Sequence, residues 1–207
     1  MSLKRMFDLL AAATALLVLS PIFLLLSLAI KLDSPGPVLY KARRIGQGGV
    51  LFFMYKFRTM VAHADRAGPA LTYKADPRIT RVGSWLRKVR LDELPQLINV
   101  LKGEMSLVGP RPEAPEFVRA EQPLWSQVLS VPPGMCGLAQ LAFAMDEAEV
   151  LADVSTLDRD YLTQILPMKL QLDVHYVSTQ SLMLDITLLL KTFWLVIRPN
   201  RSMAVRV

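Results

Sequence analysis

The chain has 207 residues, enough for one domain or one domain with an anchor. With 52% hydrophobic and 20% charged residues it is too apolar for a disordered chain, and its mixed pattern excludes a polytopic membrane protein; the one cysteine, Cys136, excludes an internal disulfide framework and a multi-cysteine zinc site. The formal charge of +6 suits nucleic acid, anionic lipid or a phosphorylated substrate, and beside a membrane anchor the last two lead, so no nucleic-acid partner is expected.

Leu9 to Ile30 is an uncharged run of 22 residues between Lys4-Arg5 and Lys31. As one straight helix it would reach about 33 Å, enough to cross a hydrocarbon core. No small-x-small cleavage site follows before Asp33-Ser34-Pro35, so the run is expected to stay on the protein. Pro21 removes a backbone donor in mid-run, which predicts a kink, and the Ser20 hydroxyl can serve the carbonyl that this frees. Both ends carry basic residues, so the positive-inside rule does not choose which end crosses. Two paths fit: a transmembrane helix, or a helix that enters and returns on one face.

Asp33 to Pro37 stops the helix. Val38 to Tyr40 and Leu51 to Phe57 read as strands of a small hairpin, with the turn at Gly46 to Gly49. Residues 62 to 80 are polar. Short helices are predicted over Gly83 to Val89 and Leu91 to Leu101, the second closed by Gly103. Residues 106 to 115 read as a rigid loop, Pro115 to Leu129 as helix, and Val131 to Gly134 as a breaker. Asp146 to Leu166 has a helical pattern. Gln171 to Ile197 is an apolar helix interrupted by Asp185 and Lys191, either interfacial or packed in a core. The tail, residues 198 to 207, is predicted to fray.

The chemistry concentrates in Lys74 to Gln96. Lys74, Arg78, Arg81, Arg87, Lys88 and Arg90 precede the adjacent carboxylates Asp92 and Glu93, with Asp76 as the one acid among them. A helix beginning here would use Asp92 as N-cap and hold it ionised at the positive end of the helix dipole. Arginines suit phosphate oxygens, and a divalent cation such as Mg²⁺ suits carboxylates and phosphates together. An ionised aspartate in such a place can act as a nucleophile. The plain alternative is a capped helix with a solvated basic face. Arg111, held between Pro110 and Pro112, loses little entropy on binding an anion, and Lys56 and Arg58 are spaced to share one strand face.

Several stretches stand in order along the chain: Ser20-Pro21, Ser34-Pro35-Gly36-Pro37-Val38, Lys56-Phe57-Arg58-Thr59-Met60, Asp76-Pro77-Arg78-Ile79-Thr80, Leu91 to Gln96, Asn99-Val100 and Met105 to Pro112. Pro133-Gly134, Gly137 to Gln140, Leu172-Asp173 and Tyr176 complete the series. Together they resemble the monotopic phosphoglycosyl transferases, or bacterial sugar transferases, over nearly the whole chain. The resemblance implies an α/β, mostly helical, membrane-associated monotopic domain. It would have a kinked re-entrant N-terminal helix and amphipathic interfacial helices. Its parts would be an anchor at residues 1–32, a catalytic domain at 33–197 on the cytoplasmic face of the bacterial inner membrane, and a tail at 198–207. It implies transfer of a phosphosugar from a UDP-sugar to polyprenyl (undecaprenyl) phosphate, with release of UMP. In that reading Asp92 is the nucleophile that carries the phosphosugar, and Glu93 helps hold Mg²⁺ and orient the site. Arg111 and Arg87 contact phosphate. Lys56, Arg58, Arg78, Gln140 and Asp173 are further substrate-binding candidates. A homodimer is compatible with it. The chain resembles the small class of these enzymes, without the extra membrane-spanning domain of larger relatives.

Two departures stand out. Met135-Cys136 replace the usual pair after Pro-Gly, and Leu141-Ala142-Phe143-Ala144 stand where relatives carry a basic residue after Ala139-Gln140. Both bear on nucleotide or sugar binding and leave the Asp-Glu pair intact. The competing classes are a non-catalytic membrane scaffold that binds anionic lipid, and a transferase of the same fold with a different activated donor.

Overall fold

The uncharged run and its flanks form one helix, α1 (Leu3–Asp33), in a computed structural model that describes residues 2–64, 68–69, 71–73, 75–143 and 156–197. Ser2 caps it by accepting from the Arg5 N–H at 3.2 Å. Pro21 lies inside the helix and leaves the Leu17 carbonyl without its usual donor; the Ser20 hydroxyl donates to that carbonyl at 2.8 Å instead.

Both ends of α1 are tied to the same domain. At the start, Lys4 pairs with Asp185, Arg5 donates to the Val100 carbonyl at 2.7 Å, and Asp8 accepts from the Ser106 hydroxyl at 2.8 Å. At the finish, Leu26 and Ile30 pack with Phe57 and Leu86, and Asp33 accepts from the Val82 N–H at 3.1 Å. Between these ends Leu17, Val18, Leu24 and Leu25 are exposed, an arrangement that wants an apolar surrounding.

Strands β1 (Leu39–Ile45) and β2 (Leu51–Phe57) pair antiparallel, with Tyr40 opposite Lys56 and Ala42 opposite Met54. The sequence placed the hairpin and its turn, where Gly48 and Gly49 take the positive φ that glycine permits, but β1 runs five residues beyond Tyr40. The free edge of β2 is closed by Asn99, which accepts from the Tyr55 N–H at 2.9 Å and donates to the Phe53 carbonyl at 2.8 Å. Asn99 sits on helix α3 (Gln96–Lys102), so this amide fixes the hairpin against the segment that carries Asp92 and Glu93. Helix α2 (Arg81–Lys88), capped by Thr80, packs on the last turns of α1. Its Gly83 touches the Thr59 backbone, leaving no room for a Cβ.

The loop predicted at 106–115 and the breaker at 131–134 are in part strand. Residues Ser106–Val108 (β3) and Gly134–Cys136 (β4) pair in parallel, with Gly109 and Gly134 in backbone contact. Three-residue strands flanked by proline and glycine carry too little alternation to read. The helix predicted over Pro115 to Leu129 is a 3₁₀ turn (Pro115–Phe117) and a short α4 (Pro123–Val128). Helix α5 (Leu138–Ala142) follows β4.

Much of the segment read as helix over Asp146 to Leu166 lies outside the described residues, as do Lys74, Ala144 and the tail at 198–207. From Leu157 the chain is helical: α6 (Leu157–Asp160), a π turn (Tyr161–Ile165), α7 (Leu166–Thr179) and α8 (Leu182–Ile197). The apolar stretch 171–197 is thus two helices broken at Gln180. Helix α8 buries Asp185, Leu188 and Leu195 against the domain and exposes Met183, Leu190 and Phe193, so it has both a core face and an open apolar face.

Candidate active site

Asp92 and Glu93 do not begin a helix. They lie in a 3₁₀ turn (Leu91–Glu93), and α3 starts at Gln96, after Pro95. The expected N-cap at Asp92 is therefore corrected: Arg90 adopts the left-handed conformation (φ 56°) and swings the chain out of α2 into a separate turn. A single helix would have needed Pro95 in its first turn directly after this reversal.

The two neighbouring carboxylates have different surroundings. Glu93 Oε1 accepts from Lys56 Nζ at 2.8 Å and from Arg111 Nη2 at 2.6 Å, and Oε2 accepts from Arg111 Nη1 at 3.4 Å. Burial pushes its pKa up, but the charges of Arg111 and Lys56 and the bonds they donate outweigh burial and hold Glu93 well below the usual range. Asp92 is 8% exposed and accepts no hydrogen bond among the described residues. Burial raises its pKa; Lys56 opposes this, Glu93 adds to it, and Arg87 and Arg111 oppose it further. The helix dipole that was expected to keep Asp92 ionised gives way to nearby cations and a competing burial penalty. Burial also lowers the pKa of Lys56, against the pull of Glu93.

A reaction that needs ionised Asp92 follows these shifts. Its acid limb should lie above the ordinary aspartate value of about 3.9, because the ionised form is lost as pH falls through a raised pKa. Lys56→Gln removes a charge that lowers this pKa, so the limb should move further up. A pH profile of kcat/KM for both proteins tests the pair; a limb that stays put or moves down in the variant would contradict the electrostatics.

Lys56 arrives from the hairpin and Arg111 from the Pro-Arg-Pro turn after β3, so three distant segments meet at Glu93. Arg87, on α2, donates through Nε to Thr59 Oγ1 at 2.8 Å and through Nη1 to Thr72 Oγ1 at 3.1 Å. These hydroxyls hold the guanidinium near Asp92 without cancelling its charge. Neither was singled out from the sequence, although Thr59 stands inside the Lys56 to Met60 stretch.

Two candidates belong elsewhere. Arg58 caps α1, donating to the Pro35 carbonyl at 2.8 Å and the Ser34 carbonyl at 2.6 Å, with Ile30 at 3.3 Å. Beyond the end of β2 the strand alternation that put it beside Lys56 no longer holds. Arg78 forms a buried pair with Asp76 (2.6 Å) and gathers the carbonyls of Ala64 and Pro69. It shapes the loop over the site. Arg78→Met should cost about 3 kcal/mol by stranding Asp76. Thermal unfolding in detergent should show the loss; an unchanged midpoint with a raised KM would return Arg78 to the substrate.

Gln140 and Asp173 flank the Arg111 segment. Gln140 donates to the Met135 carbonyl at 2.7 Å, and its Oε1 is buried with no hydrogen-bond partner among the described residues. Asp173 is buried with Oδ1 likewise unpartnered, and burial, then Glu113, push its pKa well above the usual range against the charges of Lys169 and Arg111. Gln96 at the head of α3 is fully buried with its whole amide unpartnered, a signal the sequence did not give. Such groups want a ligand or water.

For a divalent cation, the free carboxylate is Asp92, with Glu93 beside it on exchange of a cationic partner. Among the described residues no three metal-binding side chains converge. Mg²⁺ takes one or two carboxylates and completes its shell with phosphates and water.

Comparison with known proteins finds similarity along nearly the whole chain. The profile of the family described as bacterial sugar transferase matches residues 1–199. The chain is 40% identical over 195 residues to an Aeromonas hydrophila UDP-N-acetylgalactosamine-undecaprenyl-phosphate N-acetylgalactosaminephosphotransferase, covering 92% of this chain and 42% of that protein. It is 38% identical to a Caulobacter vibrioides UDP-glucose:undecaprenyl-phosphate glucose-1-phosphate transferase, covering 91% of this chain and 67% of the relative. It is also 38% identical to the exopolysaccharide production protein ExoY of Sinorhizobium fredii, covering 91% and 83%. The chain thus spans less than half of the first relative's length and about two thirds of the second's.

Proposed function

We propose that this chain, which belongs to the bacterial sugar transferase family, transfers a phosphosugar from a UDP-sugar to undecaprenyl phosphate at the cytoplasmic face of the inner membrane. The observation that carries the reading is the division of labour at Asp92-Glu93: Glu93 is clamped by Lys56 and Arg111, while Asp92 accepts no bond and faces the same cations.

A carboxylate oxygen of Asp92 attacks the sugar-bearing phosphorus. The phosphorus–oxygen bond to the nucleotide breaks, and UMP leaves with the electron pair. An oxygen of the lipid phosphate then attacks the aspartyl-phosphosugar, breaks the bond to Asp92 and restores the carboxylate. Arg111, Lys56 and Arg87 are charges set in advance against the phosphate oxygens, which is the larger part of catalysis in phosphoryl transfer. The raised pKa of Asp92 makes it a stronger nucleophile once ionised. Mg²⁺, held by Asp92 and Glu93, would neutralise diphosphate oxygens when bound.

The re-entrant path of α1 is part of this proposal. It is supported by the polar ties of Lys4, Arg5 and Asp8 at one end and Asp33 at the other to one domain, with the exposed apolar middle between them. The open apolar face of α8 would lie in the interface. Single cysteines near residues 3 and 32 should label from one side; opposite-side labelling would reject the path.

The test of the reaction is UMP release by purified protein with Mg²⁺, undecaprenyl phosphate and a panel of UDP-sugars. The relatives' names specify N-acetylgalactosamine and glucose, so the panel includes both. Release with one sugar and a phosphosugar adduct on Asp92 are the expected results. No release from folded protein, with lipid binding intact, would favour a scaffold.

A further inference from the structure

Asn99 is fully buried on α3, and both ends of its side-chain amide are bonded. Its Oδ1 accepts from the Tyr55 N–H, and its Nδ2 donates to the Phe53 carbonyl and, at 2.7 Å, to Glu104 Oε2. A third strand would serve the edge groups of Phe53 and Tyr55, but among the described residues β1 and β2 form a two-stranded sheet. The amide, a donor and an acceptor side by side, repeats what that strand would offer. Glu104 settles its orientation. A carboxylate only accepts, so it draws the NH₂ group to its own side and leaves Oδ1 for the Tyr55 N–H. Gly103, at φ 86°, turns the chain back, and the N–H groups of Glu104 and Met105 reach the Asn99 carbonyl at 3.1 and 3.3 Å.

Lys56 follows Tyr55 on β2. Tyr40 stands opposite it on β1, and its Nζ reaches Glu93 at 2.8 Å. Glu93 lies in the turn that leads into α3, so both members of this ion pair hang from α3: Glu93 through the chain, Lys56 through Asn99. Lys102, one turn further along α3, adds a tie at the surface by donating to the Tyr55 hydroxyl at 2.7 Å. An ammonium on a flexible four-carbon stem is placed only as well as the backbone that carries it. A leucine at position 99 would fill the same space and leave the hairpin edge unpaired, so packing alone does not call for an amide here.

We propose that Asn99 is the positioning residue of Lys56: it locks the edge of β2 and so sets where the ammonium meets Glu93 and the phosphates of the substrate. The role in the reaction rests on the transferase activity proposed above. Asn99 acts through Lys56 and not on the reacting atoms. In a site built from charges set in advance, a misplacement of about 1 Å costs on the order of a hundredfold in rate.

The test joins a contact measurement to a rate, both on the full chain in detergent. A water-soluble carbodiimide links an amine to a carboxylate only where the two touch, and the linked peptides are read by mass spectrometry. The wild type should give a Lys56–Glu93 link, with Lys169–Glu113 as the reference pair from another part of the domain. Asn99→Ala should lower the Lys56–Glu93 link and the rate of UMP release by at least about tenfold each, and keep the reference link. In a Lys56→Met background the same substitution should cost no more than about twofold further in rate, because its effect runs through Lys56. Asn99→Asp sets two carboxylates against each other and should behave like Asn99→Ala. Adding Glu104→Gln restores a donor between the two side chains and should return at least about half of the link. This second pair of variants decides the matter where Asn99→Ala does not fold. A Lys56–Glu93 link that survives in Asn99→Ala overturns the proposal, whatever the rate. So does loss of both links, which would make Asn99 a support of the whole domain, and so do rate losses that multiply in the Lys56→Met background. If the wild type releases no UMP while the link still depends on Asn99, the transferase reading falls and the positioning of Lys56 stands.

Discussion

Asp92→Asn should lower turnover by at least about a thousandfold and abolish any phosphosugar adduct, while leaving the fold intact. An amide cannot form the acyl phosphate, and a residual rate would come from positioning alone. The structure separates this from collapse. Asp92 holds no hydrogen bond among the described residues, so asparagine breaks none. Its carboxylate has a pKa raised above the unfolded value, so the ionised form destabilises the fold at neutral pH. Removing that charge should hold or raise the unfolding midpoint. The expected pattern is a dead enzyme of equal or greater stability, read by UMP release beside thermal unfolding. Near-normal turnover of well-folded Asp92→Asn would sink the covalent mechanism. A dead and unfolded variant would instead point to a supporting role that the contacts around Asp92 do not show.

The sequence revealed this site because its parts are local. The basic run, the adjacent carboxylates and the proline-framed Arg111 are each legible in short stretches. Their order along the chain carried the resemblance to the family. What the sequence did not reveal is which cation serves which anion. Lys56 and Arg58 are two residues apart and look equivalent, yet one reaches Glu93 and the other caps the last turn of α1. The difference arises from the end of β2, where alternation stops. Arg78 and Arg87 look alike too, but Arg78 finds Asp76 two residues away and is spent on the loop, while Arg87 meets neutral hydroxyls and keeps its charge for the site. The fold followed a similar division. The hairpin, α1 and the C-terminal apolar helices are long enough to show their period. The β3–β4 pair is not, because strands of three residues, none of them exposed, have no exposed face to alternate with. Asp92 as an N-cap was a sound local inference that one left-handed residue, Arg90, overturned.

Glu93→Gln should be the second most damaging change, for a reason unlike that of Asp92. Its carboxylate serves Lys56 and Arg111 at once, and all three side chains keep little solvent, at 18%, 15% and 23% for Lys56, Glu93 and Arg111. A neutral amide takes from both cations the carboxylate that bonds them, and the charge of Asp92 alone does not replace it. Removing one partner from a buried pair costs about 3–5 kcal/mol, and the residual solvent contact places this case near the lower figure. Activity should fall at least about a hundredfold, as Lys56 and Arg111 repel and leave their phosphate-facing positions. Glu93 has a depressed pKa, so its contribution to stability is present above the unfolded glutamate value and is lost as pH falls through the folded one. The wild type should therefore lose stability in acid relative to Glu93→Gln, and the two midpoints should converge at low pH. A double variant identifies the cause. With Lys56→Met added, the repulsion is relieved, so the pair of changes should cost less stability than the sum of the singles. If the costs simply add, and the Mg²⁺ needed for half-maximal rate rises instead, Glu93 serves the ion and not the cations. Strong coupling with an unchanged Mg²⁺ requirement would assign it to organising Lys56 and Arg111, leaving Asp92 as the carboxylate open to the substrate.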